Sequence, residues 1–181
     1  MSKIAHCCCR LLRAEVSGHP TLVAACHCEQ CQRRTGSAFG ISAYYLREQV
    51  RTEDASKIFS RAGQDGRSIQ GHFCPECGTP VYWEAEFMPG YIGIAAGTFF
   101  DPDFPAPTVS AWEQTKHPWV TFGDKVLHLQ EQRPPLGLPF GLALLCLRWA
   151  GRIALTRWVL ATLLQWLSLP RDRALKAPGN T

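Results

Sequence analysis

The chain has 181 residues, which suits one domain of about 100–150 residues with an appendage. Nine cysteines is an odd number and the N-terminus has no apolar export segment, which argues against a disulfide-framed secreted protein and predicts a cytoplasmic chain with metal-bound thiolates. Residues 1–133 carry 13 Lys+Arg and 14 Asp+Glu, a net of −1. A near-neutral domain argues against broad contact with nucleic acid, which usually requires a basic face.

The first part of the chain alternates short apolar runs with turns. Residues 11–16, 21–25 and 39–45 are rich in branched or aromatic side chains and predict strands. Residues 32–37 are polar and broken by glycine, which predicts a loop, and residues 46–50 allow one helical turn.

The second part continues this pattern. Residues 57–61 and 67–73 predict strands on either side of a glycine-containing turn, and residues 81–85 and 91–96 predict two more. The proline-rich run 101–107 excludes regular structure, after which Trp112 and Trp119 are expected to close the core. Short strands separated by turns about every ten residues predict an all-β domain over residues 1–133.

Pro134 and Pro135 mark a predicted boundary. Residues 134–181 form a basic, apolar extension with a net charge of +5, and the Leu- and Ala-rich stretch 136–169 predicts one or two helices. The charge-free runs of this stretch are 14 and 13 residues long, short of the roughly 20 that cross a bilayer. Packing on a partner protein or on the domain, peripheral membrane association and an extension without a role all stay open. Cys146 is interpreted as a small buried hydrophobe.

The stretch from Cys26 to Cys31 places three cysteines, Cys26, Cys28 and Cys31, within six residues. Thiolates this crowded repel one another unless a cation holds them, and zinc is the usual cation. Structural zinc sites have four protein ligands, whereas catalytic sites keep one position open. The sequence leaves both alternatives: an open three-thiolate site, or a site closed by His6, His27 or His72.

A second cysteine pair, Cys74 and Cys77, has the C-x-x-C spacing of a zinc knuckle, with Gly78 relieving the backbone after it. The C-x-C pair Cys7 and Cys9 would complete a closed, structural four-cysteine site. Cys8, between these two ligands, is expected to point away from the metal, and His117 is interpreted as a packed loop residue.

Together these motifs resemble the GFA/CENP-V family, whose founding members are glutathione-dependent formaldehyde-activating enzymes and centromere protein V. The resemblance covers roughly residues 3–125. It is carried by Cys7-x-Cys9, Cys26-His27-Cys28-x-x-Cys31 with Gly36-Ser37-Ala38-Phe39, Phe73-Cys74-Pro75-x-Cys77-Gly78-Thr79-Pro80, Ala96-Gly97-Thr98 with Asp101-Pro102, and Lys116-x-Pro118-Trp119.

The resemblance implies an all-β, tent-like fold of small sheets held by two Zn²⁺ ions. It assigns the structural ion to Cys7, Cys9, Cys74 and Cys77, and a catalytic ion to Cys26, Cys28 and Cys31. It also implies glutathione as thiol co-substrate and carbon–sulfur lyase chemistry on adducts such as S-(hydroxymethyl)glutathione.

Two positions depart from the family pattern. Members usually have glycine after the second cysteine, where this chain has Arg10, and many carry a histidine at the place that Ser110 occupies. For glutathione's carboxylates, the basic residues nominated are Arg33, Arg34 and Lys116.

Two functions from different classes follow. The leading hypothesis is a zinc-dependent enzyme that uses a small-molecule thiol and an aldehyde. The alternative is a zinc-stapled binding module of the centromere protein V type, without catalysis, whose basic extension contacts an acidic partner. Oligomeric state does not follow from the sequence.

Overall fold

The computed structural model describes residues 2–52, 56–63 and 66–131. Within them the chain forms eleven strands in two sheets and one α-helix. The strands are β1 (Ser2–His6), β2 (Arg13–Ser17), β3 (Leu22–Cys26), β4 (Gly40–Leu46), β5 (Val50–Thr52), β6 (Lys57–Ala62), β7 (Ser68–Phe73), β8 (Pro80–Ala85), β9 (Tyr91–Ala95), β10 (Val109–Ala111) and β11 (Leu127–His128), and the helix is α1 (Glu29–Thr35). The described part is therefore mostly β-sheet.

The two sheets differ in size. The small sheet has the order β1-β2-β5, and the large sheet has the order β11-β10-β3-β4-β9-β8-β7-β6. Neighbours are antiparallel except at the β10 end, where β10 is parallel to both β3 and β11. The chain thus returns residues 109–111 to the strand that leads into Cys26.

One face of the large sheet packs into the hydrophobic core. Side chains alternate between faces along a strand, and register aligns Ala43 of β4 with Val23 of β3 and Ile94 of β9. These residues share a buried cluster with Ala5 of the small sheet and with other side chains of both sheets. The core therefore lies on this face.

The opposite face of the same sheet carries Cys26. Register aligns Tyr44, Gly93 and Trp83 on this face, and Gly71 and Phe59 continue the row to the edge strand β6. We call it the cysteine face. A Cβ on Gly93 would lie 2.2 Å from Trp83 Nε1, so only glycine lets the indole lie across this strand.

Most predicted strands are confirmed. The helical turn predicted at residues 46–50 is a 3-10 turn at Arg47–Gln49. Strands β1, β5, β10 and β11 were not predicted. The branched residues of β1 are interrupted by polar ones, and the other three strands are only two or three residues long.

Two predictions are wrong. Much of the predicted loop 32–37 is helical, because Glu29 opens α1 and Gly36 ends it in the left-handed conformation with φ of 61°. Trp119 does not close the core, since 71% of it is exposed.

The predicted extension, residues 134–181, lies outside the described residues, so its helices and the boundary before it stay predictions. Among residues 2–52, 56–63 and 66–131, no helix has the length and apolar character needed to cross a bilayer.

Candidate metal centres

The first cysteine cluster joins the start of the predicted domain to its middle. Cys7 follows β1, Cys74 follows β7, and these two sulfurs meet those of Cys9 and Cys77, all four within 4.8 Å of one another. Cys9 Sγ lies 3.5 Å from both Cys7 Sγ and Cys74 Sγ. Ligands of a tetrahedral zinc ion with Zn–S bonds of ~2.3 Å lie about 3.8 Å apart, so this four-thiol set fits such an ion.

Both chain segments of this cluster turn in the same way. The residue after the second cysteine is left-handed in each, Arg10 with φ of 65° and Gly78 with φ of 71°. Each turn is closed by backbone hydrogen bonds, Arg10 N to Cys7 O at 3.0 Å and Gly78 N to Cys74 O at 3.0 Å. The turn that family members make with glycine is made here by arginine.

The environment of Cys77 favours its thiolate. The Thr79 hydroxyl lies 3.2 Å from its sulfur. Hydrogen bonds from the Thr79 side chain and backbone, with a further one from the Cys9 backbone, lower the pKa of Cys77 to about 5. A thiolate is the form that binds a metal ion.

The second cluster is built where β3 meets α1. Cys26 ends β3, Cys28 is the residue before the helix, and Cys31 lies in its first turn. Their three sulfurs lie within 4.8 Å of one another, and among the described residues no further Cys, His, Asp or Glu joins them. The cluster could therefore hold a metal ion with three protein ligands.

The three thiols of the second cluster interact strongly. Hydrogen bonds to Cys28 and Cys31, with burial, raise the pKa of Cys26. Hydrogen bonds from Cys26 and Cys28, together with the charges of Arg34 and Arg61, lower the pKa of Cys31 to about 3. One thiolate thus forms readily and is shared with two protonated neighbours, and metal binding would displace their protons.

His27 points away from the cluster although two of the three cysteines flank it. The backbone is extended through Cys26 and Cys28, so successive side chains alternate in direction. The His27 ring is fully buried beside Phe39 and Phe122, and its Nε2 lies 3.0 Å from Ser110 Oγ. Burial lowers its pKa.

A carboxylate completes this buried network. Ser110 Oγ donates to Glu113 Oε1 at 2.5 Å, so its lone pair accepts from His27 Nε2–H. The same carboxylate oxygen pairs with His128 Nδ1 at 2.7 Å and Lys116 Nζ at 3.0 Å. Burial alone would raise the pKa of Glu113, but these three hydrogen bonds outweigh it and lower the pKa.

Backbone contacts also hold the extended segment between Cys26 and Cys28. His27 N donates to Ala111 O at 3.0 Å. His27 O accepts from Gln32 Nε2 at 2.7 Å and from Thr115 Oγ1 at 2.9 Å. Residues from β10 and the turn after it therefore fix the backbone that presents both cysteines.

The three basic residues nominated for glutathione lie in different places. Arg34 shares a helix face with Cys31, three residues before it, and its guanidinium stacks 4.5 Å from the centre of the Trp83 ring. Arg33 turns outward and pairs with Glu29 at 2.8 Å, with 73% of its side chain exposed. Lys116 pairs with Glu113. Arg34 alone of the three has a guanidinium or ammonium contact on the cysteine face.

The remaining predicted residues do not join either cluster. His72 stacks on Tyr82 with ring centroids 4.3 Å apart, and the buried Nδ1 of His6 makes no hydrogen bond. Cys8 is exposed. His117 lies on the surface, its Nε2 3.1 Å from Gln32 Oε1. Cys146 lies outside the described residues.

Comparison with known sequences assigns the chain to a family. The sequence profile of the glutathione-dependent formaldehyde-activating enzyme family matches residues 2–115, more than half of the chain. The chain belongs to this family. Both cysteine clusters lie inside the matched region.

Other comparisons add little to this family assignment. No curated protein matches the chain. A crystal structure of a Rhodobacter sphaeroides protein is similar to it with 18% sequence identity and a TM-score of 0.42, over 52% of this chain and 85% of that one.

The sequence showed no sign of two residues that the structure brings near the functional site, Glu113 and Arg61. Glu113 reaches Ser110 only through the turn after β10, and Arg61 reaches the cysteine face only through strand register. The i,i+3 spacing of Cys31 and Arg34 was the available signal for Arg34 over Arg33, had the segment been recognised as helical.

Proposed function

We propose that this chain is a zinc-dependent enzyme of the carbon–sulfur lyase type, which makes and breaks the bond between the sulfur of glutathione and the carbon of an aldehyde such as formaldehyde. The supporting observation is the cluster of Cys26, Cys28 and Cys31, in which three sulfurs converge and no fourth donor joins among the described residues. Catalytic zinc sites keep such a position for substrate, whereas structural sites are closed.

The reaction requires no oxidant or reductant. The glutathione sulfur forms a bond to the aldehyde carbon, the carbonyl π pair moves to oxygen, and the thiol proton ends on that oxygen as a hydroxyl. The reverse reaction splits the same bond. A zinc ion bound by the three thiolates supplies Lewis acidity and a coordination position for a thiol or a carbonyl oxygen.

The protein residues contribute position and charge. Cys26, Cys28 and Cys31 would hold the metal, and His27 anchors the extended segment between the first two by its buried side chain and backbone. We propose a structural role for the four-cysteine cluster, because Cys7 and Cys74 are buried in the core and the cluster joins the start of the matched region to its middle.

The test is zinc content per chain combined with activity. Wild type, Cys28→Ser and Cys8→Ser are purified without oxygen and dialysed against glutathione. We expect two zinc ions in wild type and in Cys8→Ser, of which one exchanges in glutathione. Cys28→Ser should keep one ion and its fold while losing condensation of glutathione with formaldehyde.

A different result would favour the binding-module alternative. If both ions stay inert to glutathione and no aldehyde adduct forms or splits, the second site is closed. The centromere protein V type of function, a zinc-stapled module without catalysis, would then replace the enzyme.

A further inference from the structure

Two arginines on the cysteine face have no carboxylate partner among the described residues. Other arginines of the described part do pair, Arg33 with Glu29 and Arg47 with Glu84. The contacts of Arg34 and Arg61 are instead an aromatic ring and a neighbouring carbonyl. Their charges are thus available to a ligand.

Arg34 is held flat against the sheet. Its guanidinium stacks on Trp83, and Gly40 makes room for it, since a Cβ there would lie 2.8 Å from Arg34 Nη2 and 3.5 Å from Cys31 Cβ. Stacking uses the face of a guanidinium and leaves the donors on its edge directed outward. Arg34 therefore presents N–H groups beside Cys31.

Arg61 approaches from the edge strand β6. Register pairs Phe59 with Gly71, and Gly71 with Trp83, so Phe59 and Arg61 point to the same face as Trp83. Arg61 is half-buried on this face. Trp83, with Arg34 stacked on it, lies on the same face in β8, two strands away from β6 in the sheet order. The two arginines therefore share the face that carries Cys26.

We propose that Arg34 and Arg61 form a carboxylate-binding pair beside the cluster of Cys26, Cys28 and Cys31, so that the enzyme selects a thiol that carries a carboxylate over a neutral small thiol. This inference rests on the proposed function and deepens it. Guanidinium edges bind carboxylates in bidentate geometry, with shorter and stronger hydrogen bonds than neutral groups make. Glutathione has two carboxylates.

The same arginines could instead balance the negative charge of the metal site, and the test must separate this role from carboxylate binding. Three thiolates around a divalent ion carry a net charge of −1, and a substrate thiolate makes it −2, which two guanidinium groups could simply offset. In that case every thiol ligand would depend on the arginines equally. A carboxylate-binding pair affects only thiols that carry carboxylates.

The experiment measures thiol binding by absorption spectroscopy on the full chain loaded with Co²⁺ in place of zinc. Glutathione, its diethyl ester and cysteamine are titrated into wild type, Arg34→Gln, Arg61→Gln, Arg61→Lys and Arg51→Gln. Arg51 is an exposed arginine on β5 of the small sheet and serves as the matched control. Cobalt content confirms that each variant keeps both sites.

We expect both glutamine variants to bind glutathione about tenfold more weakly or worse, with the ester and cysteamine changed little. Arg61→Lys should recover part of the loss, and Arg51→Gln should match wild type. If the variants bind glutathione and its ester equally weakly, or bind glutathione as wild type does, Arg34 and Arg61 are not a carboxylate-binding pair, and the proposed function stays in place. If no thiol alters the wild-type spectrum, both the proposed function and the carboxylate-binding role are overturned.

Discussion

His27 and Ser110 are 83 positions apart in the chain, yet His27 Nε2 lies 3.0 Å from Ser110 Oγ in the interior. Both residues are fully buried. The contact joins the segment between two cysteines of the second cluster to strand β10. The Ser110 hydroxyl in turn donates a hydrogen bond to Glu113. Ser110 therefore supports the segment of the second cluster through this hydrogen bond.

Replacement of Ser110 tests this support. Ser110→Ala leaves the buried His27 N–H without its acceptor and removes one donor from Glu113, so we expect a loss of about 1–3 kcal/mol in the free energy of unfolding. Urea unfolding measures it. The metal ion of the second cluster should also be lost to a chelator faster from the variant than from wild type. Equal rates of loss in the two proteins would contradict a role of Ser110 in holding the segment between Cys26 and Cys28.

Glu113 should make stability depend on pH. Its pKa is lowered in the folded protein, so its stabilisation is present above the unfolded pKa of about 4.3 and is lost as pH falls through the folded value. Glu113→Gln should therefore destabilise by about 1–2 kcal/mol at pH 7, and the difference from wild type should shrink on acidification. Unfolding is measured for both proteins at each pH. Glu29→Gln, at an exposed ion pair, is the control and should show no such trend.

Gly93 should not tolerate a side chain. A Cβ there would lie 2.2 Å from Trp83 Nε1, so Gly93→Ala must displace the indole, with an expected loss of about 1–3 kcal/mol. The displacement would also disturb the stacking of Arg34 and weaken glutathione binding. Gly97→Ala is the control, since nothing lies within 4 Å of a Cβ at that position. Equal stability of the two variants would refute the packing argument.

Arg10 holds a left-handed conformation that suits glycine. Its φ of 65° costs an L residue about 1–2 kcal/mol. Glycine would remove this strain, but it would lose part of the gain because it makes the unfolded chain more flexible. We expect Arg10→Gly to stabilise the protein by about 0.5–1 kcal/mol, seen as a higher urea midpoint. Arg10→Ala removes the same charge but keeps the penalty, and it should not stabilise. A gain in both variants would assign the effect to charge.

The first cluster should matter for folding more than for chemistry. Cys74 is fully buried among core residues, so Cys74→Ser is expected to release one metal ion and to lower the melting temperature strongly. Cys8→Ser changes an exposed cysteine outside the cluster and should leave metal content and melting unchanged. A folded Cys74→Ser variant with the wild-type melting temperature would contradict a structural role of the first cluster.

Local sequence patterns predicted much of this structure. The short branched runs predicted most strands, and the C-x-C and C-x-x-C spacings predicted the cysteine pairs, because two ligands on one tight turn need no distant information. That Cys7 and Cys9 meet Cys74 and Cys77 was expected because a closed zinc site needs four ligands. Helix α1 was missed because seven residues give too little periodicity, and its polar composition also suits a loop.

The sequence by itself determined the family, the mostly β character and the three short cysteine motifs, since each depends on residue types at fixed local separations. Only the tertiary structure decided which charged and polar residues meet those cysteines. Ser110 and Glu113 reach His27 through a parallel strand contact, and Arg61 reaches the cysteine face through antiparallel register. Such pairings join distant segments, and no local pattern specifies which segments pair.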